Sequence, residues 1–94
     1  MAAAWTETSG TLTNTTVTLA ANPNRREVIV SNNSDTVMTL SIGGTATANV
    51  GVVVPAGQAI RFGQPTGGGG NSCPSAALSL FCAGTSKAYT FEEC

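Results

Sequence analysis

Apolar side chains in this chain recur at every second residue and nowhere at helical spacing for three turns, so the pattern permits pleated strands and little else. Val17 and Leu19 share one parity, with Thr16 and Thr18 on the other, and Met38, Leu40 and Ile42 alternate with Val37, Thr39 and Ser41. Leu78, Leu80 and Cys82 repeat the pattern, as do Tyr89 and Phe91 against Ala88, Thr90 and Glu92. Fourteen threonines reinforce it, because a β-branched side chain is stiff in a helix and packs well on a pleated surface.

The punctuation between these runs sets the expected organisation. Asn22-Pro23-Asn24 ends the first strand, since Pro donates nothing to a ladder and Asn accommodates a turn. Val28 and Val30 then face one way and Ile29 the other. Asn32-Asn33-Ser34-Asp35 predicts a reversal between the two strand patterns of Ala20 to Ala46, a stretch that reads as an antiparallel β unit. Gly43-Gly44 predicts a tight hairpin turn, followed by one long strand through Ala46, Ala48, Val50, Val52 and Val54, with a bend or close backbone approach at Gly51. Val54-Pro55-Ala56-Gly57 suits a type I turn, and Ile60 and Phe62 resume an inward face with Arg61 outward. Residues 64–72, QPTGGGGNS, lack the Gly-Lys-Ser/Thr ending of a phosphate loop and are expected to be a mobile exposed loop. Another turn is expected at Ala83-Gly84-Thr85. The expected fold is all-β: an antiparallel two-layer β-sandwich or jelly-roll-like barrel of about seven strands. It would span residues 11–94, preceded by an extended N-terminal arm over residues 1–10. Trp5 is the one large side chain of that arm and needs a pocket, on its own domain or on a neighbouring subunit.

Composition narrows the function. Charged residues are 10% of the chain, against about 25% in ordinary soluble domains, and Thr, Ser, Asn, Ala and Gly take their place. Such a surface costs little to desolvate against another protein, so it suits assembly. A net charge of −1 with four scattered basic residues cannot neutralise a run of phosphates, which argues against a nucleic-acid partner. The apolar run from Val50 to Ala56 is too short to span a bilayer, and the first residues lack a basic segment followed by an apolar one, which predicts synthesis without export. No histidine occurs, removing the usual general base near neutral pH and the commonest transition-metal ligand. An enzyme is therefore not expected, nor a cofactor. Cys73 and Cys82 could close a small loop and Cys94 could reach another chain, but buried reduced thiols are the preferred reading, and without a short Cys-x-x-Cys spacing the three make a poor metal site. Arg25 and Arg26 follow the Asn-Pro corner on opposite strand faces. One of them is expected to pin the loop through carbonyls of a neighbouring turn or through Asp35, the alternative being an anion or sugar contact.

Taken in order, these residues resemble a recurrent small β module of tailed-bacteriophage virion proteins. Leu19-Ala20-Ala21-Asn22-Pro23-Asn24-Arg25-Arg26 is similar to its Ala-Asn-Pro-x-Arg corner, and Val30-Ser31-Asn32-Asn33-Ser34 to its strand-to-turn signature. Leu40-Ser41-Ile42-Gly43-Gly44-Thr45-Ala46 resembles its hairpin, and Ala83-Gly84-Thr85 before the last strand resembles its ending. Met38, where the family often has an aromatic residue, and the Gly-rich segment with Cys73 depart from the pattern. The resemblance implies a capsid cement or decoration protein, assembled in the host cytoplasm on the outer surface of the virion. Its implied partners are the major capsid protein and copies of itself, preferably as a homotrimer. A glycan-binding tail or fibre adhesin and a head-to-tail connector are the alternatives. The residues expected to reach a partner are Trp5, Glu7, Arg25, Arg26 and Arg61.

Overall fold

The computed structural model describes residues 5–47, 50–63 and 73–94. Eight strands form: β1 (Thr6–Leu12), β2 (Thr15–Leu19), β3 (Glu27–Asn32), β4 (Met38–Ile42), β5 (Val52–Val54), β6 (Ala59–Gly63), β7 (Leu78–Cys82) and β8 (Lys87–Glu93). They make two four-stranded antiparallel sheets, the first in the order β1-β8-β3-β6 and the second in the order β2-β7-β4-β5. The pairs β1·β8, β2·β7, β3·β6 and β4·β5 are those of one long antiparallel ribbon with its tip between β4 and β5. Two further pairings, β3·β8 and β4·β7, arise when that ribbon rolls on itself. Such a rolled ribbon is an eight-stranded jelly roll, a two-layer sandwich in which almost every connection crosses between layers.

The core lies between the layers. Val28, Val30, Tyr89 and Phe91 come from the first sheet and Met38, Leu40, Val54, Leu78, Leu80 and Cys82 from the second, with Leu12 closing one end. All but Leu12, which lies on a strand the sequence did not predict, are buried at the parity expected of their strands. Tyr89 and Phe91, two apart on β8 and so on one face, meet edge to face with ring centroids 5.6 Å apart. Burying each large apolar side chain contributes roughly 1.5–3 kcal/mol.

The structure corrects several expectations. Thr6–Gly10, expected in the arm, are the first part of β1 and pair with β8 from Thr6↔Glu93 to Gly10↔Tyr89; this is the eighth strand. Its alternation is hidden because β1 is an edge strand carrying Thr, Ser and Gly on both faces. Residues 1–4 of the expected arm and the loop over 64–72 lie outside the described residues. β3 and β4 do not form an antiparallel unit, since they belong to different sheets. The segment between them is held by Asn32, which is buried. Its amide nitrogen donates to the carbonyls of Thr36 and Val54, and its amide oxygen accepts from the backbone and hydroxyl of Ser34. All four hydrogen-bonding capacities of the amide are thereby used inside the protein.

The tight hairpin at Gly43-Gly44 and the long strand after it are also replaced. Only Gly43 has a positive φ, and β5 is confined to Val52–Val54, preceded by a lone bridge between Thr47 and Val50. The connection folds back over the outer face of the second sheet. There the Ala46 amide donates to the Ser79 hydroxyl at 2.9 Å and the Thr39 hydroxyl donates to the Thr47 carbonyl at 2.8 Å. Ala46, Thr39 and Ser79 are buried as a result. The turn before β6 is shifted by one residue. Gln58 N–H bonds to the Pro55 carbonyl, which puts Gly57, φ +73°, at the third position, where a type II turn needs positive φ.

The close approach expected at Gly51 is present: its φ is +112°, and a Cβ there would press on the Leu40 carbonyl. Gly57 faces open space. Gly51→Ala should therefore cost about 2 kcal/mol or more and Gly57→Ala about 1 kcal/mol, read from urea midpoints at unchanged m-value.

Candidate functional site

One end of the roll is organised by Arg25, whose side chain is 0% exposed. Its Nε donates to Glu93 Oε1 at 2.8 Å, Nη1 to the carbonyls of Pro74 and Ala76, and Nη2 to the Ala20 carbonyl. The local sequence delivers it there. Pro23 sits at the second position of a turn closed by Arg25 N–H to the Asn22 carbonyl, and the Asn22 side chain accepts from Asn24 N–H. The Asn22 backbone N–H also donates to the Ser75 carbonyl, so the corner is clasped to the segment before β7. The expectation that an arginine pins this loop through carbonyls is met by Arg25. The carboxylate that joins it is Glu93, whereas Asp35 pairs with Lys87 at 2.7 Å.

Antiparallel register gathers the expected partner residues at this same end of the first sheet. Glu7, Glu92, Ile29 and Arg61 form one cross-strand row on its outer face. Arg61 donates to Glu27, and Glu7 accepts from the Ser9 hydroxyl. Trp5 lies one residue before β1 and is 45% exposed, so its own domain covers only part of it. Arg26 is exposed, and its amide bonds to the Cys94 carbonyl. Arg25, expected with them as a partner contact, is instead withdrawn into the fold, because four hydrogen bonds to the protein's own acceptors occupy its fork.

Chemical reactivity is muted at this end, where Cys73 lies, and at the opposite end, where Cys82, Asp35 and Lys87 lie. All three cysteines are free thiols. Burial pushes the Cys73 thiol up, with the Arg25 charge opposing, and burial likewise pushes up Cys82, whose sulfur contacts the Ala83 and Val37 carbonyls. The hydrogen bond from Lys87, with a second from Thr36, lowers the Asp35 carboxyl below its ordinary value. Among the described residues no three His, Cys, Asp or Glu side chains converge as a metal site would require.

The larger asymmetry lies between the sheets. Glu7, Glu27, Arg61, Lys87, Glu92 and Glu93 all belong to the first sheet, while Arg25, Arg26 and Asp35 lie in loops. The four strands of the second sheet contain no charged residue. Its outer face places Thr16, Phe81, Thr39 and Val53 in one row, with Val37 diagonal to both Phe81 and Val53. Val37, Val50 and Val53 are exposed, Val53 by 53%. An uncharged, hydroxyl-edged apolar face of this kind has the composition of the centre of a protein interface.

Sequence reasoning put Val37 on the outward parity with Thr39 and Ser41 but named none of Val37, Val53 and Phe81 as a partner contact. A signal was available: no charge occurs in residues 8–24, 36–60 or 62–86, the stretches that supply β2, β4, β5 and β7. Against protein-family models, curated proteins and solved structures alike, this chain gives no match.

Arg25→Met should destabilise the domain by about 3–5 kcal/mol in urea unfolding, because it strands a largely buried carboxylate and three carbonyls. Arg25→Lys keeps the charge but not the fork and should recover less than half of that loss. In alkylation at pH 8, Cys82 should stay unmodified in the folded protein and react at once in denaturant, as mass spectrometry of the peptides would read.

Proposed function

We propose that this protein is a non-enzymatic structural component of a tailed-bacteriophage virion, a cement protein on the outer surface of the head that bridges major capsid subunits. The observation that carries the reading is the confinement of charge to one side of the roll. The second sheet's outer face, with Val37, Val53 and Phe81, rests on the shell, and the charged first sheet faces water. Covering Thr, Ser and Val sacrifices little hydration or side-chain entropy, whereas covering Glu and Arg would sacrifice much of both. Many symmetric copies then turn a modest contact into a large gain in shell stability.

The fold is compatible with this role but does not select it, since jelly rolls serve capsids, lectins and cupins alike. A glycan-binding adhesin would want exposed aromatic platforms. Among the exposed large apolar residues described, Trp5 alone is aromatic, and it sits on the opposite sheet from the valine patch. The order of motifs along residues 11–93 supports the virion reading from the sequence side.

Purified protein added to shells lacking it should bind in hundreds of copies per particle and raise their resistance to heat and osmotic shock. Val53→Glu should leave the circular dichroism spectrum unchanged and weaken shell binding by about tenfold or more, because it forces a charge into a desolvated contact. Absence of protection at saturating protein would overturn the reading.

A further inference from the structure

β1 is the edge of the first sheet and runs for seven residues in unbroken register against β8. Its other edge receives no backbone hydrogen bond among the described residues. Long, regular strand edges are ordinarily blunted by lysine, proline, a bulge or brevity, because their free amides and carbonyls recruit other strands. Of the other three edges, β5 has only three residues and β6 carries Arg61 and ends at Gly63 with φ +120°, while β2 lacks lysine, proline and a bulge but has only five residues. β1 has no lysine, proline or bulge and is the longest of the four edges. Its sequence, TETSGTL, is a series of small residues with a single charge, and all but Gly10 and Leu12 are exposed.

We propose that β1 pairs antiparallel with β1 of a second copy of this chain, about a twofold axis at Ser9, joining the two first sheets into one continuous sheet of eight strands. The register about Ser9 is self-complementary. Ser9 faces Ser9 of the second copy, Thr8 faces Gly10, Glu7 faces Thr11 and Thr6 faces Leu12, so every cross-strand pair is compatible in size and no like charges oppose one another. The two Glu7 side chains are separated along the strands by about four residues, roughly 13 Å, which exceeds the screening length at physiological salt. The same register carries Trp5 to the level of Thr13 in the turn before β2 of the second copy. That supplies a further neighbour to an indole that is 45% exposed in one copy. β2, the edge of the second sheet, lies on the same flank because only Thr13 and Asn14 separate it from β1. The twofold therefore buries one side of both layers. It leaves the Val37, Val53 and Phe81 face free, so it does not depend on the shell-binding reading, and it replaces the threefold arrangement implied by the resemblance.

The test is the oligomeric state of the whole chain, with Ser9 as the probe. Sedimentation equilibrium should give a mass near twice 9.4 kDa, little changed between low and high salt. Ser9→Lys, which sets two ammonium groups opposite each other at an exposed position, should give a monomer with an unchanged circular dichroism spectrum. Ser9→Cys treated with a short bismaleimide should yield a peptide linked through position 9 of both copies, in at least tenfold higher yield than the corresponding link made with Thr11→Cys. A monomer at every concentration, a trimer, a Ser9→Lys protein that remains dimeric, or equal linking at the two positions would each overturn the proposal. A monomer whose β1 amides become protected from exchange only on shells would also overturn it, by assigning the edge to the shell protein instead.

Discussion

The guanidinium of Arg25 is the point on which one whole end of the roll depends. A jelly roll passes the chain from layer to layer at nearly every connection, and each crossing exposes carbonyls that no ladder satisfies. Here the crossing from β2 to β3 and the segment entering β7 send carbonyls of Ala20, Pro74 and Ala76 to a single fork, which also meets Glu93 near the end of β8. A planar donor set on a fully buried cation does this where a lysine would not. Asn32 does the equivalent work between β3 and β4 with a neutral amide. Two polar side chains thus hold crossings that apolar packing alone would leave without direction.

With those crossings fixed, the remaining geometry follows from strand parity. Val28 and Val30, Phe91 and Tyr89, Leu78 and Leu80, and Met38 and Leu40 all turn inward because their neighbours in sequence turn out, and antiparallel register brings them level. The same register aligns Glu7, Glu92, Ile29 and Arg61 outside the first sheet and Thr16, Phe81, Thr39 and Val53 outside the second. One surface is charged and the other is not, although the charges are scattered along the chain.

Local chemistry was readable wherever a residue acts through its own backbone. Pro23 with its flanking asparagines, the close approach at Gly51 and the alternation of the core strands were all visible in the sequence, as was the anchoring role of an arginine after the corner. Failures came where a segment's neighbours decide its state. β1 reads as an arm because Thr, Ser and Gly on an edge strand need no alternation, and only β8 makes it a strand. Residues 43–47 read as part of a hairpin because nothing local reveals that the Ser79 and Thr39 hydroxyls on other strands will capture them. Trp5, Glu7, Arg26 and Arg61 were noted singly. Their convergence at one end of one sheet, and the withdrawal of Arg25 from among them, required the register.

By itself the sequence determined that this chain is pleated, that its core is built from alternating aliphatic and aromatic side chains, and that its surface is poor in charge. Each of these follows from side-chain type and a period of two residues, which act over the length of a single strand. Which strands share a sheet, which face is free of charge and which edge is left open were decided only by the tertiary structure. They depend on how the ribbon rolls, and that rests on contacts between residues as distant in the chain as Arg25 and Glu93, whose pairing no local pattern encodes.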